Sequence, residues 1–232
     1  MSRVPLVLLP GLLCDAAIWA PQSAAFAAIA DIRIGDLTRH DSVAGMAAAI
    51  LDAAPARFAL AGFSMGGYVA FEIMRQAPSR IERLALLDTS ARPDPPERAQ
   101  QRRDLIALAQ RGDFKGVTPR LLPQWVHPER MGDAAFVADV GAMTMRVGRE
   151  AFIRQQIAIL GRPDSRLGLS RIQVPTLVLC GRQDMATPVE AAREIAADID
   201  GARLVVIEAC GHLSTLERPE AVNAALGDWL AA

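Results

Sequence analysis

Lysine is almost absent from these 232 residues: Lys115 stands alone, and arginine supplies the rest of the positive charge. That bias reflects composition rather than chemistry. Neither sign of charge dominates, with 25 Lys+Arg against 26 Asp+Glu and a net charge of −1. A nucleic-acid-binding domain needs a basic excess, so no nucleic-acid partner is expected. Cysteine is scarce too: Cys14, Cys180 and Cys210 are odd in number, widely spaced and form no CxxC pair. They offer neither a disulfide framework nor a zinc or redox motif. The expectation is reduced thiols in a cytoplasmic protein, with no metal or other cofactor. Long apolar runs are missing, and stretches such as Val4 to Leu9 are far too short to span a bilayer. The N-terminus lacks a charged segment followed by a long apolar one, so neither a signal peptide nor a membrane partner is expected.

What is present suits an ordinary globular chain, 51% apolar and 22% charged, long enough to bury one substantial core. Val4 to Leu9 is a continuous apolar run ending at Pro10-Gly11, which predicts a buried strand and a turn. Ile32 to Ile34 is a weaker strand. Ser42 caps a helix over Val43 to Ala53, which Pro55 closes. Phe58 to Ala61 is the next strand, after which Met65, Val69 and Ile73 recur every four residues as a buried helical stripe. Ile81 to Leu87, Val174 to Cys180 and Arg203 to Ile207 read as further strands. Helices are expected over Val189 to Ala197 and Pro219 to Leu230. Apolar strands separated by helices make βαβ units, hence an α/β fold with a mostly parallel sheet of about six strands, covered on both faces. About 91–171 breaks the alternation. It is helix-rich, punctuated by Pro93, Pro95, Pro96, Pro119, Pro123, Pro128 and Pro163, and reads as a helical cap inserted into a single domain spanning 1–232.

The sharpest chemical signal is Gly62-Phe63-Ser64-Met65-Gly66, placed directly after a strand and before a helix. A nucleophile on so sharp a bend needs near-absent side chains two residues either side. The bend lifts the Ser64 hydroxyl clear of the sheet, and the helix N-terminus favours developing negative charge. A serine hydroxyl needs a base, and the chain has three histidines. His40 sits in a polar loop, and His127 lies in the cap between Val126 and Pro128. His212 falls just past the last strand, on the same carboxyl edge of a parallel sheet as Ser64, and is the candidate base. A carboxylate must then hold the imidazole tautomer. Asp184, after the Val174 to Cys180 strand, is the first candidate and gives the order Ser, Asp, His. Asp88, closing the Ile81 to Leu87 strand, is the competitor. Acyl transfer also needs oxyanion donors: the Met65 N–H, and one from the turn after the first strand, Leu12 ahead of Leu13.

These motifs together resemble the cofactor-free α/β-hydrolase superfamily of esterases, lactonases and related enzymes. Leu9-Pro10-Gly11-Leu12 is similar to its oxyanion turn, Gly62 to Gly66 to its nucleophile elbow, Gly181 to Asp184 to its acid loop, and Gly211-His212 to its histidine loop. Two departures stand out. Pro10-Gly11 replaces the family's usual His-Gly, and the chain begins at the oxyanion strand, which implies a trimmed, all-parallel sheet lacking the family's N-terminal antiparallel strands. The serine at the elbow sets the chain apart from dehalogenases and epoxide hydrolases, which use aspartate, and from dienelactone hydrolases, which use cysteine.

The resemblance implies hydrolysis of a small carboxylic ester or lactone through an acyl-Ser64 intermediate. The same triad could instead drive a lyase by proton abstraction, and a hydrolase-like ligand receptor is the third reading. From Arg92 to Arg171 there are 14 Arg/Lys and 9 Asp/Glu, a balance of +5 against −6 elsewhere. That excess either attracts an anionic substrate or simply solvates cap helices. Leu13, Trp19, Phe63, Trp125 and Phe152 are candidate pocket walls, the four aromatics being equally easy to place as packing; Cys14 and Cys210 read as small packing residues near the site.

Overall fold

A computed structural model describes residues 3–112, 114–117 and 121–232; Pro119 lies outside them. The apolar run Val4–Leu9 forms strand β1, and a short 3-10 turn leads into α1 (Ala20–Phe26). Strand β2 (Ala30–Ile34) and helix α2 (Val43–Ala53) follow, with Ser42 Oγ accepting from Gly45 N–H as the N-cap. Then come β3 (Phe58–Phe63), α3 (Met65–Gln76) and β4 (Ile81–Leu87). Between β4 and the next strand lie two long helices, α4 (Pro96–Gln110) and α5 (Ala134–Leu160). The chain returns through β5 (Thr176–Gly181), α6 (Val189–Asp198) and β6 (Arg203–Ile207), and ends in the short α7 (Ser214–Glu217) and α8 (Pro219–Ala231).

The six strands form one sheet in the order β2-β1-β3-β4-β5-β6, and every pairing is parallel. Alternate residues of each strand enter two separate cores, which is why the strands read as unbroken apolar runs. Val7 and Leu9 pack with α2, α3 and α6 on one face, whereas Leu6 and Leu8 pack with α1 and α8 on the other. The order reverses between β1 and β3. In an open parallel sheet, loops leaving the carboxyl ends on either side of that point border a crevice.

Two features were not foreseen. The stretch 16–26 is helical, although its alanine-rich sequence shows no apolar stripe. Helix α5 is broken at Gly148, whose φ of 78° and ψ of 171° are not helical. Positive φ is open to glycine at no steric cost.

Candidate active site

Steric necessity explains the glycines around Ser64. A Cβ on Gly62 would stand 2.5 Å from Gly66 O, one on Gly66 would stand 2.3 Å from Leu9 O, and one on Gly67 would stand 2.3 Å from Thr89 Oγ1. Strand β3 can therefore turn into α3 within one residue only if these positions stay bare. Ser64 takes up the bend with φ 53° and ψ −114°. It is held there by its N–H donating to Leu87 O at 2.9 Å and by Thr89 Oγ1 donating to its carbonyl at 2.7 Å.

The loops after β5 and β6 meet this bend. His212 Nε2 lies 2.9 Å from Ser64 Oγ, and His212 Nδ1 lies 2.8 Å from Asp184 Oδ2. Asp184 is 4% exposed, and its other oxygen accepts from the N–H groups of Ala186 and Thr187 at 2.8 and 2.9 Å. Thr187 Oγ1 donates to Asp184 Oδ2 at 2.7 Å and lies 3.3 Å from His212 Nδ1. With Nδ1 donating to the carboxylate, Nε2 is left to accept the serine proton.

Asp88 is close by but differently engaged. Fully buried at the end of β4, it accepts from Gly181 N–H at 2.9 Å and is hydrogen-bonded to Ser214 Oγ. Burial, then the neighbouring Asp184, pushes its carboxyl well above the usual range. Asp88, Cys180 and Asp184 offer ligand atoms within 4.8 Å of one another. Each of their four carboxylate oxygens is already committed to one of the hydrogen bonds just given. Burial also raises all three thiols, Cys14 to about 12, so none presents a thiolate.

On the β1 side, Leu13 N–H is occupied, donating to Gln155 Oε1 at 3.0 Å. Leu12 N–H has no acceptor among the described residues. Met65 opens α3, where a first-turn N–H lacks an intrahelical acceptor. Both residues line a cavity of about 600 Å³ that also reaches Ser64 and His212.

A family model described as alpha/beta hydrolase fold matches residues 4–219. The chain belongs to the α/β-hydrolase fold family. A pimeloyl-[acyl-carrier protein] methyl ester esterase of Aromatoleum aromaticum is 27% identical over 95% of this chain and 95% of its own. A 3-oxoadipate enol-lactonase of Acinetobacter baylyi is 27% identical over 71% of this chain and 60% of its own. Among solved structures, the enol-lactonase from Burkholderia xenovorans superposes with a TM-score of 0.90 at 27% identity, covering 100% of this chain and 93% of that one.

In this hydrolase the cavity walls come from both core and cap. Leu13, Phe63 and Trp125 line it, as does Phe152. Trp19 does not: it is fully buried, packed edge-on behind Phe63 with ring centroids 6.5 Å apart. The apolar turn that follows β1 draws its indole into the core beneath the site. His40 lies away from the cavity. His127 stays in the cap, where its Nδ1 accepts from Glu129 N–H.

Sequence reasoning passed over three buried polar side chains. Thr187 fits a local pattern, a hydroxyl residue three after an aspartate. Glu217 accepts from the N–H groups of Gly211, Leu213 and His127 at 3.2, 3.0 and 2.8 Å, tying the histidine loop to the cap. Gln155 lies 142 residues from its partner Leu13, beyond any local signal. No described helix is long and apolar enough to cross a membrane.

Proposed function

We propose that the protein hydrolyses a small carboxylic ester or lactone through an acyl-Ser64 intermediate. The observation that carries this reading is the unbroken relay from Ser64 Oγ to His212 Nε2 at 2.9 Å and from His212 Nδ1 to Asp184 Oδ2 at 2.8 Å. His212 takes the hydroxyl proton as Ser64 Oγ attacks the acyl carbon. The Leu12 and Met65 N–H groups receive the oxyanion. His212 then returns the proton to the leaving alcohol, which departs from an ester but stays tethered in an opened lactone. Water, deprotonated by the same imidazole, cleaves the acyl-enzyme and restores Ser64. Asp184 stabilises the imidazolium formed in both halves.

The cavity suits a small acyl group, and both kinds of relative named above act on compounds with a carboxylic ester or enol-lactone bond. In this reading 91–171 is the cap of a single domain, and the partner is the small-molecule substrate alone.

A panel of p-nitrophenyl esters and a serine-directed phosphonate tests the proposal. Ser64→Ala should keep its circular dichroism and thermal midpoint yet lose kcat by a factor on the order of 10⁴ or more. Turnover that survives in Ser64→Ala removes the serine from its role. Phosphonate labelling without turnover of any ester favours a lyase, and failure to label favours a receptor.

A further inference from the structure

Gln155 sits in the second half of α5 with no exposed surface, and both ends of its amide face outside the cap. Oε1 accepts from Leu13 N–H at 3.0 Å, and Nε2 donates to Leu37 O at 3.2 Å. The amide orientation is fixed by its partners, because a backbone N–H can meet only the oxygen and a carbonyl only the nitrogen. Arg154 separately anchors this part of the helix, its Nε donating to Thr38 O at 2.8 Å. The backbone of α5 is thus held here without help from Gln155.

The turn that Gln155 grips is unusual for its sequence. Cys14 N–H donates to Gly11 O at 3.2 Å, closing a four-residue turn, and Leu13 at its third position has φ 59°. That is the pattern of a type II turn, which ordinarily asks for glycine at the third position. A leucine there is strained by its Cβ. The Leu12–Leu13 peptide is held in this orientation from both ends: Gln155 takes the N–H, and Cys14 Sγ donates to Leu12 O at 3.4 Å. Without Gln155 the strain favours rotating that peptide toward a type I turn, with Leu13 back at negative φ. That peptide adjoins the Gly11–Leu12 peptide, whose N–H is the proposed oxyanion donor, so a turn released from Gln155 no longer holds the donor in one position.

We infer that Gln155 is a positioning residue for the oxyanion site, through which the cap holds the β1 turn in its strained, productive form. The inference rests on the acyl-transfer reading above. It adds that the cap contributes to kcat by fixing a backbone donor, and not only to substrate choice by shaping a pocket.

Gln155→Leu keeps the buried volume and removes both hydrogen bonds. With p-nitrophenyl butyrate, kcat should fall about 10- to 100-fold, less than or comparable to deletion of a whole oxyanion donor, while KM changes by less than about threefold. Phosphonate labelling should slow in parallel, since the phosphonyl oxygen uses the same donors. Gln155→Glu supplies a rescue. A protonated Glu accepts from Leu13 N–H and donates to Leu37 O, as glutamine does, whereas the ionised form cannot donate. Because either form keeps the Leu13 bond, its kcat should return to within about threefold of wild type. Gln155→Met, unbranched and flexible, repeats the removal of both bonds should Gln155→Leu fail to fold. A folded Gln155→Leu or Gln155→Met with kcat within about twofold of wild type, or a folded Gln155→Glu as impaired as Gln155→Leu, overturns the inference. Turnover surviving in Ser64→Ala would instead overturn the underlying reading, so the two failures are separable.

Discussion

Asp88 and Asp184 close adjacent strands and carry the same functional group, yet the fold gives them opposite company. Asp184 receives two backbone N–H groups, the Thr187 hydroxyl and His212 Nδ1. Asp88 receives one backbone N–H and is hydrogen-bonded to Ser214 Oγ in a fully buried site. Burial, and then Asp184, raises the Asp88 carboxyl well above its ordinary 3.8. The native state therefore holds a proton that the unfolded chain releases, and stability falls as pH rises from 3.8 toward the folded value. Asp88→Asn removes that slope, because a neutral amide can accept from Gly181 and donate to Ser214. Its urea midpoint should gain on wild type as pH rises from about 4, and kcat/KM should stay within about threefold. Asp184→Asn should lose about 10⁴-fold in kcat. Equal impairment of the two variants would shift the acid role to Asp88. Sequence alone left both residues open for a physical reason. Each ends a parallel strand at the carboxyl edge, and what separates them is donors from loops far along the chain.

The strands were legible as elements because burial on both faces writes itself as unbroken apolar runs, as in Phe58–Phe63 and Thr176–Gly181. Helices α2 and α3 showed a cap or a stripe. The elbow was legible because its glycines answer local clashes. The loops were not, because their shape depends on contacts across the sheet edge. Leu13, Ser64, Asp88 and Ala209, the non-glycine residues with positive φ among those described, all lie in loops after β1, β3, β4 and β6. Such strain persists only where surroundings over-determine it. For the histidine loop part of that surrounding is Glu217 at the end of α7, with Trp125 O accepting from His212 and Leu213 N–H at 2.9 and 3.2 Å. Glu217→Gln puts an NH₂ where an oxygen now meets backbone N–H groups, so one or more of its three bonds is lost. The expected cost is roughly 1–3 kcal/mol in urea denaturation, with a matching drop in kcat as His212 loosens. An unchanged midpoint and unchanged kcat would show that Trp125 alone suffices to hold the loop.

Across the whole molecule, several described arginines between β4 and β5 are held in ion pairs, although Arg98, Arg102 and Lys115 also line the cavity. Asp94, before α4, accepts from Arg162 Nη2 at 2.7 Å and also pairs with Arg102; its side chain is 5% exposed. Arg162 lies over the Tyr68 ring at 4.3 Å, which links the same cluster to α3. Arg92 pairs with Glu194 of α6, and Arg146 with Asp15 beyond the β1 turn. Burial pushes the Asp94 carboxyl up, but Arg162 and Arg102 outweigh it and hold the group at about 2. A depressed carboxylate stabilises the fold fully above its unfolded value of 3.8, and that contribution is lost as pH falls through about 2. Asp94→Asn leaves two nearly buried guanidiniums without their counter-charge. Arg102 still reaches Gln156, and Arg162 still reaches the carbonyls of Arg92 and Ile159, so the loss should be about 3 kcal/mol at pH 7, the lower end for a broken buried pair. The gap between variant and wild-type denaturation midpoints should close as pH falls from 3.8 toward 2. Because α4 walls the cavity and carries no group of the proposed triad, KM should rise more than kcat falls. A gap that persists unchanged at pH 2 would mean that Asp94 acts through packing and not through charge.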